Sequence, residues 1–289
     1  MTIAERRVAL WRASLWGGGG FWTIVVAGSG VFVYGASQRD IVLMAAGPVV
    51  VAILVAAAAF AISHRRAARR FFFGFARSLG LFYAERTRLL PLTPLLGAGD
   101  RRWVEHWMQG DLGDGLGGGL GHLVWQERKD DDLGGVIARE HHRYTVCVIE
   151  LEESMTLFRG GMCLHPRRGI FPAHSDWLEG RANRKVKLES TAFNERYELR
   201  VWQELDEIVL RRLFAPRLVS WFANHPLTPG MELRGGTLVV FVERALDDEG
   251  NLVFLLDAAR HVAEAVRREV AEESRRVVQA SPAAASASS

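Results

Sequence analysis

The chain has 289 residues, 49% of them hydrophobic, with 36 Lys and Arg against 33 Asp and Glu for a formal charge of +3. This composition excludes a many-span transporter, leaves room for one folded domain of ordinary size, and lacks the broad basic excess of a nucleic-acid binder. Two cysteines, Cys147 and Cys163, rule out a disulfide framework, and a cytoplasmic domain keeps both reduced.

Two uncharged apolar runs, Leu15 to Ala36 and Ile41 to Ile62, stand near the N-terminus, separated by Ser37, Gln38, Arg39 and Asp40. Each reaches the roughly 20 residues needed to cross a hydrocarbon core about 30 Å thick, so residues 1–63 are read as a transmembrane hairpin with spans at about 15–36 and 41–62. Arg6, Arg7 and Arg12 precede the first run, and Arg65, Arg66, Arg69, Arg70 and Arg77 follow the second, whereas the tip carries only Arg39 beside Asp40. Positive charge favours the cytoplasmic side, which predicts a two-span protein of the cell membrane with both termini cytoplasmic. A cleaved signal peptide is the alternative; the length of the first run and the second run directly after it argue against that. Trp11, Trp16, Trp22 and Tyr34 fall toward the ends of the first span, and Gly28, Gly30 and Gly35 permit close helix contact.

Residues 64–100 read as a basic, aromatic juxtamembrane helix followed by a linker. From His64 to Phe82, the residues Phe71, Phe72, Phe75, Leu79 and Phe82 keep helical spacing among the arginines. Arg65, Arg66, Arg69, Arg70 and Arg77 are the candidate contacts to anionic headgroups, each contributing about 1 kcal/mol near a charged surface. The simpler reading is an inside-positive flank whose phenylalanines pack on the domain. Leu89 to Asp100 contains Pro91, Pro94, Gly97 and Gly99 and is expected to be irregular.

Residues 101–276 are expected to form a cytosolic α+β domain with a mainly antiparallel sheet and a long C-terminal helix. Arg101 to Gln109 is read as a short helix. Gly110 to Gly121 is read as a flexible loop, and its G-x-G-x-x-G match lacks the strand before and helix after that a dinucleotide site requires. His122 to Arg128 and Tyr144 to Leu151 read as strands joined through an acidic tip near Gly134 and Gly135, with Cys147 in the core. Lys185 to Ser190 and Tyr197 to Trp202 form another strand pair, and Asp206 to Phe214 and Arg217 to Asn224 are helical, divided near Pro216. Met231 to Arg234 and Thr237 to Glu243 flank Gly235 and Gly236, a pair suited to a tight hairpin turn. Asn251 is the expected N-cap of the longest soluble helix, with Leu252, Leu255, Leu256, Ala259, Val262, Ala263, Val266 and Val270 on one face. Residues 277–289 form an Ala/Ser tail expected to be disordered.

The run Glu189-Ser190-Thr191-Ala192-Phe193-Asn194-Glu195-Arg196-Tyr197, together with Arg143-Tyr144-Thr145-Val146, the two N-terminal spans, Pro216 and the terminal hairpin and helix, resembles an uncharacterised family of bacterial membrane-anchored proteins, a domain of unknown function. The resemblance implies a shared architecture and no transferable catalytic residues. Physically, Ser190 and Thr191 can cap one helical turn, Phe193 can anchor it, Asn194 and Arg196 can satisfy backbone or acidic partners, and Tyr197 can begin a strand.

Reactive residues are sparse. Cys163, His165 and His174 lie close in sequence and His141 and His142 precede a strand, yet their spacing leaves a fourth zinc ligand to chance, so no metal site and no cofactor are expected. No nucleophile elbow, metalloprotease helix or P-loop occurs in the soluble part, and catalytic residues stay unknown. The sequence therefore points to a noncatalytic, membrane-tethered binding or regulatory module whose partners are the bilayer and a membrane protein or a second copy, with no nucleic acid. The alternatives are a membrane-associated enzyme with its site at the His- and Cys-bearing loops, and an accessory subunit of a transport or envelope complex.

Overall fold

The computed structural model describes residues 19–38, 41–130, 136–167, 183–202 and 205–286. It divides into two compact units, Met1–Phe75 with Asp247–Glu249, and Ala76–Leu246 with Gly250–Ser289. Arg6, Arg7, Arg12, the Arg39–Asp40 tip, Gly134, Gly135 and His174 lie outside the described residues.

The first unit is built on α1 (Gly19–Gln38) and α2, which starts at Ile41 and runs to Ser78. Gly47 sits so close to Val31 that a Cβ there would overlap the valine, and a Cβ on Gly28 would touch Pro48 at 3.7 Å. Small residues thus let the two helices lie side by side. Among the described residues one segment, Gly47–Ser78, is long and apolar enough to cross a membrane, and the apolar stretch in α1, Val25–Tyr34, is shorter. The expected first span begins at Leu15, outside the described residues. Helix α2 continues through the basic flank: Arg65, Arg66, Arg69, Arg70 and Arg77 are exposed, while Phe71, Phe72 and Phe75 are buried.

The second unit is organised by a nine-stranded sheet in the order β1-β2-β3-β4-β9-β8-β5-β7-β6. Its strands are β1 (Phe82–Thr87), β2 (Arg101–Asp111), β3 (Gly117–Asp130), β4 (Val136–Glu150), β5 (Met162–Pro166), β6 (Asn183–Val186), β7 (Tyr197–Trp202), β8 (Gly230–Arg234) and β9 (Thr237–Val242). Neighbouring strands all pair antiparallel. The helices are α3 (Thr191–Arg196), α4 (Glu207–Leu213), α5 (Pro216–Asn224) and α6 (Glu249–Ser286).

Because side chains alternate along a strand, the register sorts residues into two faces. One row, Leu120, Cys147, Val240, Met231, Leu164 and Leu199, is buried across six strands. Leu252, Leu255, Leu256, Ala259, Val262, Ala263 and Val266 form the buried stripe of α6, and the charge of Arg260 reaches the Cys147 thiol, which places α6 over this face. Arg260 also donates to Leu112 O, and Arg212 of α4 pairs with Glu269 at 3.2 Å and Glu273 at 2.7 Å.

The expected local devices around α3 to α5 and the β8–β9 turn are present. Ser190 Oγ accepts from Phe193 N at 3.3 Å, Phe193 is buried, and Asn194 exchanges two hydrogen bonds with the Leu188 backbone. Arg196 donates to Ala223 O and Tyr197 opens β7. Asp206 caps α4 through Ile208 N at 2.8 Å, and Pro216 occupies the first turn of α5. Gly235 and Gly236 take φ of 55° and 73° in the β8–β9 turn.

Five expectations are corrected. Arg101 to Gln109 is strand, not helix. A bulge between Glu105 and Met108, with His106 at φ 54°, breaks the two-residue alternation. Buried Val104, Trp107 and Met108 consequently mimic helical spacing. The glycines at 117, 118, 119 and 121 belong to β3, not a flexible loop: a Cβ on Gly119 would collide with Trp107, one on Gly121 with Val104, and one on Gly118 with Val148 O. At 118, 119 and 121 the bareness is a packing requirement. The supposed linker is an ordered cover, with Leu95, Leu96 and Ala98 buried against Val104, Trp107, Leu123, Trp125, Tyr144, Val146, Val148, Val239 and Phe241. It is fastened by Asp100 N to Gln126 O at 2.9 Å and Arg102 to Gly97 O at 3.2 Å. Helix α6 begins at Glu249, ahead of Asn251, and it runs to Ser286, through most of the expected disordered tail, whose alanines favour continuing a helix already nucleated upstream.

Candidate functional site

On the sheet face beneath the Leu95 cover, the pairing register brings together residues that are far apart in sequence. Cys163 and His165 alternate onto one side of β5, and Cys163 stands directly opposite Glu232 on β8 and Arg200 on β7. Glu232 is 0% exposed, Cys163 1% and His165 7%. His165 Nε2 lies 2.9 Å from Glu232 Oε1, with the ring N–H donating, and Leu95 N donates to Glu232 Oε2 at 2.8 Å. The Cys163 thiol stands beside the same carboxylate across the β5–β8 pairing. The three donor atoms of Cys163, His165 and Glu232 lie within 4.8 Å of one another.

The surroundings set the chemistry of this cluster. Burial first, then the negative charge of Glu232, pushes the Cys163 thiol well above its ordinary value, against the opposing pull of Arg234 and Arg200. The thiol therefore stays protonated at neutral pH, which is unsuited to an exposed nucleophile. Arg200 is itself engaged, donating to Glu198 Oε1 at 2.6 Å, while Lys185 stands 3.2 Å from Glu198 Oε2. Burial alone would raise the Glu198 carboxyl; the bonds from Arg200 and Lys185 outweigh it and hold the group below the usual range.

Of the residues singled out by sequence, His141, His142, Cys163 and His165 sit on strands, not loops, and the four do not converge. His141 is exposed beside Gln126, 3.2 Å from its Nε2. His142 is buried, stacked on Trp125 at 4.0 Å, and forms a second donor group with Glu127 and Glu140. Rings link the two groups along one face: His165 to Phe241 at 5.4 Å, Phe241 to Tyr144 at 6.2 Å, Tyr144 to Trp125 at 6.4 Å, then His142. Glu232 was missed by sequence reasoning. Its signal is an acid between Met231 and Leu233, which strand alternation turns to the opposite face from those two.

A separate open cleft of about 860 Å³ lies beside α3 and α5, with Phe214, Pro216, Val219 and Ala223 forming apolar wall and Arg196 and Arg211 among its charged lining. Comparison of the chain with models of protein families, with curated proteins and with solved structures finds no match.

Proposed function

We propose that the chain is a membrane-tethered binding or regulatory module, anchored by α1 and α2 as a two-span hairpin with both termini cytoplasmic. The observation that carries the reading is the exposed surface of α2. Val49, Val50, Ile53, Leu54, Phe60 and Ile62 are all exposed, and only 6% of the most apolar window of Gly47–Ser78 is buried. A helix apolar on every side is stable in lipid and costly in water. The exposed arginines from Arg65 to Arg77 follow on the same helix, as the inside-positive rule asks of a cytoplasmic flank.

The binding role is supported by the cleft beside α3 and α5, where apolar wall meets charged side chains, and by a buried cluster whose protonated thiol does not suit nucleophilic catalysis. Tethering raises the local concentration of the domain near a membrane partner, so modest contacts suffice. The test combines alkaline carbonate extraction, protease added to intact cells, and photocrosslinking from Ala192 at the cleft. Retention in the membrane pellet, protection of the C-terminal domain and a discrete crosslinked neighbour are expected. Release by carbonate or digestion from outside overturns the anchor and its orientation; absence of any crosslinked neighbour overturns the binding role.

A further inference from the structure

We infer that Cys163, His165 and Glu232 form a binding site for one divalent transition-metal ion of the zinc class, with sulfur, imidazole nitrogen and carboxylate oxygen as its protein ligands. Donor chemistry, placement and charge all favour such an ion. The first is donor chemistry: a thiolate, an imidazole and a carboxylate suit a borderline-soft divalent ion, whereas calcium and magnesium take oxygen alone.

The second is placement. Zinc bonds of about 2.0–2.3 Å put tetrahedral ligand atoms roughly 3.3–3.8 Å apart, and the three donors already lie within 4.8 Å of each other. They stand on paired neighbouring strands whose register allows no slippage without turning the apolar row of the other face outward. Supporting bonds are also present: Leu95 N holds Glu232 Oε2, leaving Oε1 turned toward His165. Such outer bonds orient metal ligands.

The third is charge. A divalent ion with one thiolate, one carboxylate and a neutral imidazole is electrically balanced, which suits a site that is almost wholly buried. On binding, the thiol proton is released to solvent and the S–H bond is replaced by a sulfur–metal bond, while the His165 ring proton passes from Nε2 to Nδ1 so that the imidazole stays neutral, with no change of oxidation state. Three protein ligands leave a fourth position for water or a small anionic ligand, as in exchangeable zinc sites. Entry requires the Leu95–Gly97 turn to lift, because Leu95 and Leu96 are buried and Leu95 bonds to Glu232.

The experiment uses untagged full-length protein in mild detergent, stripped with chelator and titrated with Co²⁺. Expected is thiolate-to-cobalt charge-transfer absorption saturating at one equivalent and displaced by Zn²⁺. The band should vanish in Cys163→Ser, persist in Cys147→Ser, and require at least about tenfold more metal in Glu232→Gln and His165→Gln. If wild-type protein shows no thiolate band, or if the band survives Cys163→Ser, the site does not bind metal and the three residues only fasten the Leu95 turn. Should Cys163→Ser fail to fold, the wild-type titration and the Cys147→Ser control still decide. The outcome is independent of whether the chain spans a membrane.

Discussion

His122 offers a quantitative test of how burial governs this domain. It lies on β3, 5% exposed, with its Nε2 3.0 Å from Leu246 O, where the ring N–H donates. Burial lowers its pKa to about 4; the Leu246 bond and Glu105 oppose that shift, and His106 and Arg143 reinforce it. In the unfolded chain the imidazole titrates near its ordinary value of 6.5. Below that value the unfolded state binds a proton that the native state refuses, so stability falls as pH drops, with full stability above the unfolded value and a floor beneath the folded one. Two and a half units at 1.36 kcal/mol each give about 3 kcal/mol in all, of which about 2 kcal/mol is lost by roughly pH 5. Guanidinium unfolding of the full chain in detergent, followed by tryptophan fluorescence, measures this directly. His122→Gln keeps an N–H donor and does not titrate, so the wild-type-minus-variant curve isolates the residue from His225 and His261, both lowered first by burial. Parallel losses in both proteins between neutral pH and about pH 4.5, or a native imidazole titrating near its unfolded value, would refute the reasoning.

Three further outcomes follow from the packing. Gly118→Ala drives a Cβ into Val148 O, a backbone atom that cannot rotate away, and is expected to cost about 3 kcal/mol, read as a lower denaturant midpoint. In the β8–β9 turn, Gly235→Ala meets open space and carries only backbone strain of about 1 kcal/mol, whereas Gly236→Ala also meets Met155 and Glu152 and should cost about twice as much. Equal midpoints for the pair would contradict the crowding at Met155. Leu54→Arg places a charge on the exposed apolar surface of α2 at an insertion cost of about 3 kcal/mol; the carbonate-resistant fraction should fall, and an unchanged fraction would remove α2 from the lipid.

The cluster of Cys163, His165 and Glu232 was half legible in the sequence. Cys-x-His is a readable pair on a strand, but Glu232 lies 67 residues from His165, and nothing local announces that β8 will pair with β5. The cover was hidden for a related reason. Pro91, Pro94, Gly97 and Gly99 do mark irregular backbone, yet irregular backbone can still be held, here by Leu95 N on a carboxylate 137 residues away. The helix expected at Arg101 to Gln109 failed because a single extra residue at the bulge converts a two-residue period into an apparent helical one.

What the residues determine unaided is whatever depends on near neighbours. The uncharged run after Ile41 makes a long apolar helix, Ser190 caps the turn that Phe193 anchors, Gly235 and Gly236 close a hairpin, and the spaced leucines and valines after Leu252 make an amphipathic helix. Each follows from torsional freedom, hydrogen bonding within a few residues, or hydrophobic period. Only the tertiary structure decides which strands adjoin, why β3 must be bare beneath Trp107, and which buried acid meets Cys163 and His165. Those outcomes arise from long-range register, where the burial of one whole face selects a single pairing and every residue on the opposite face is carried along with it.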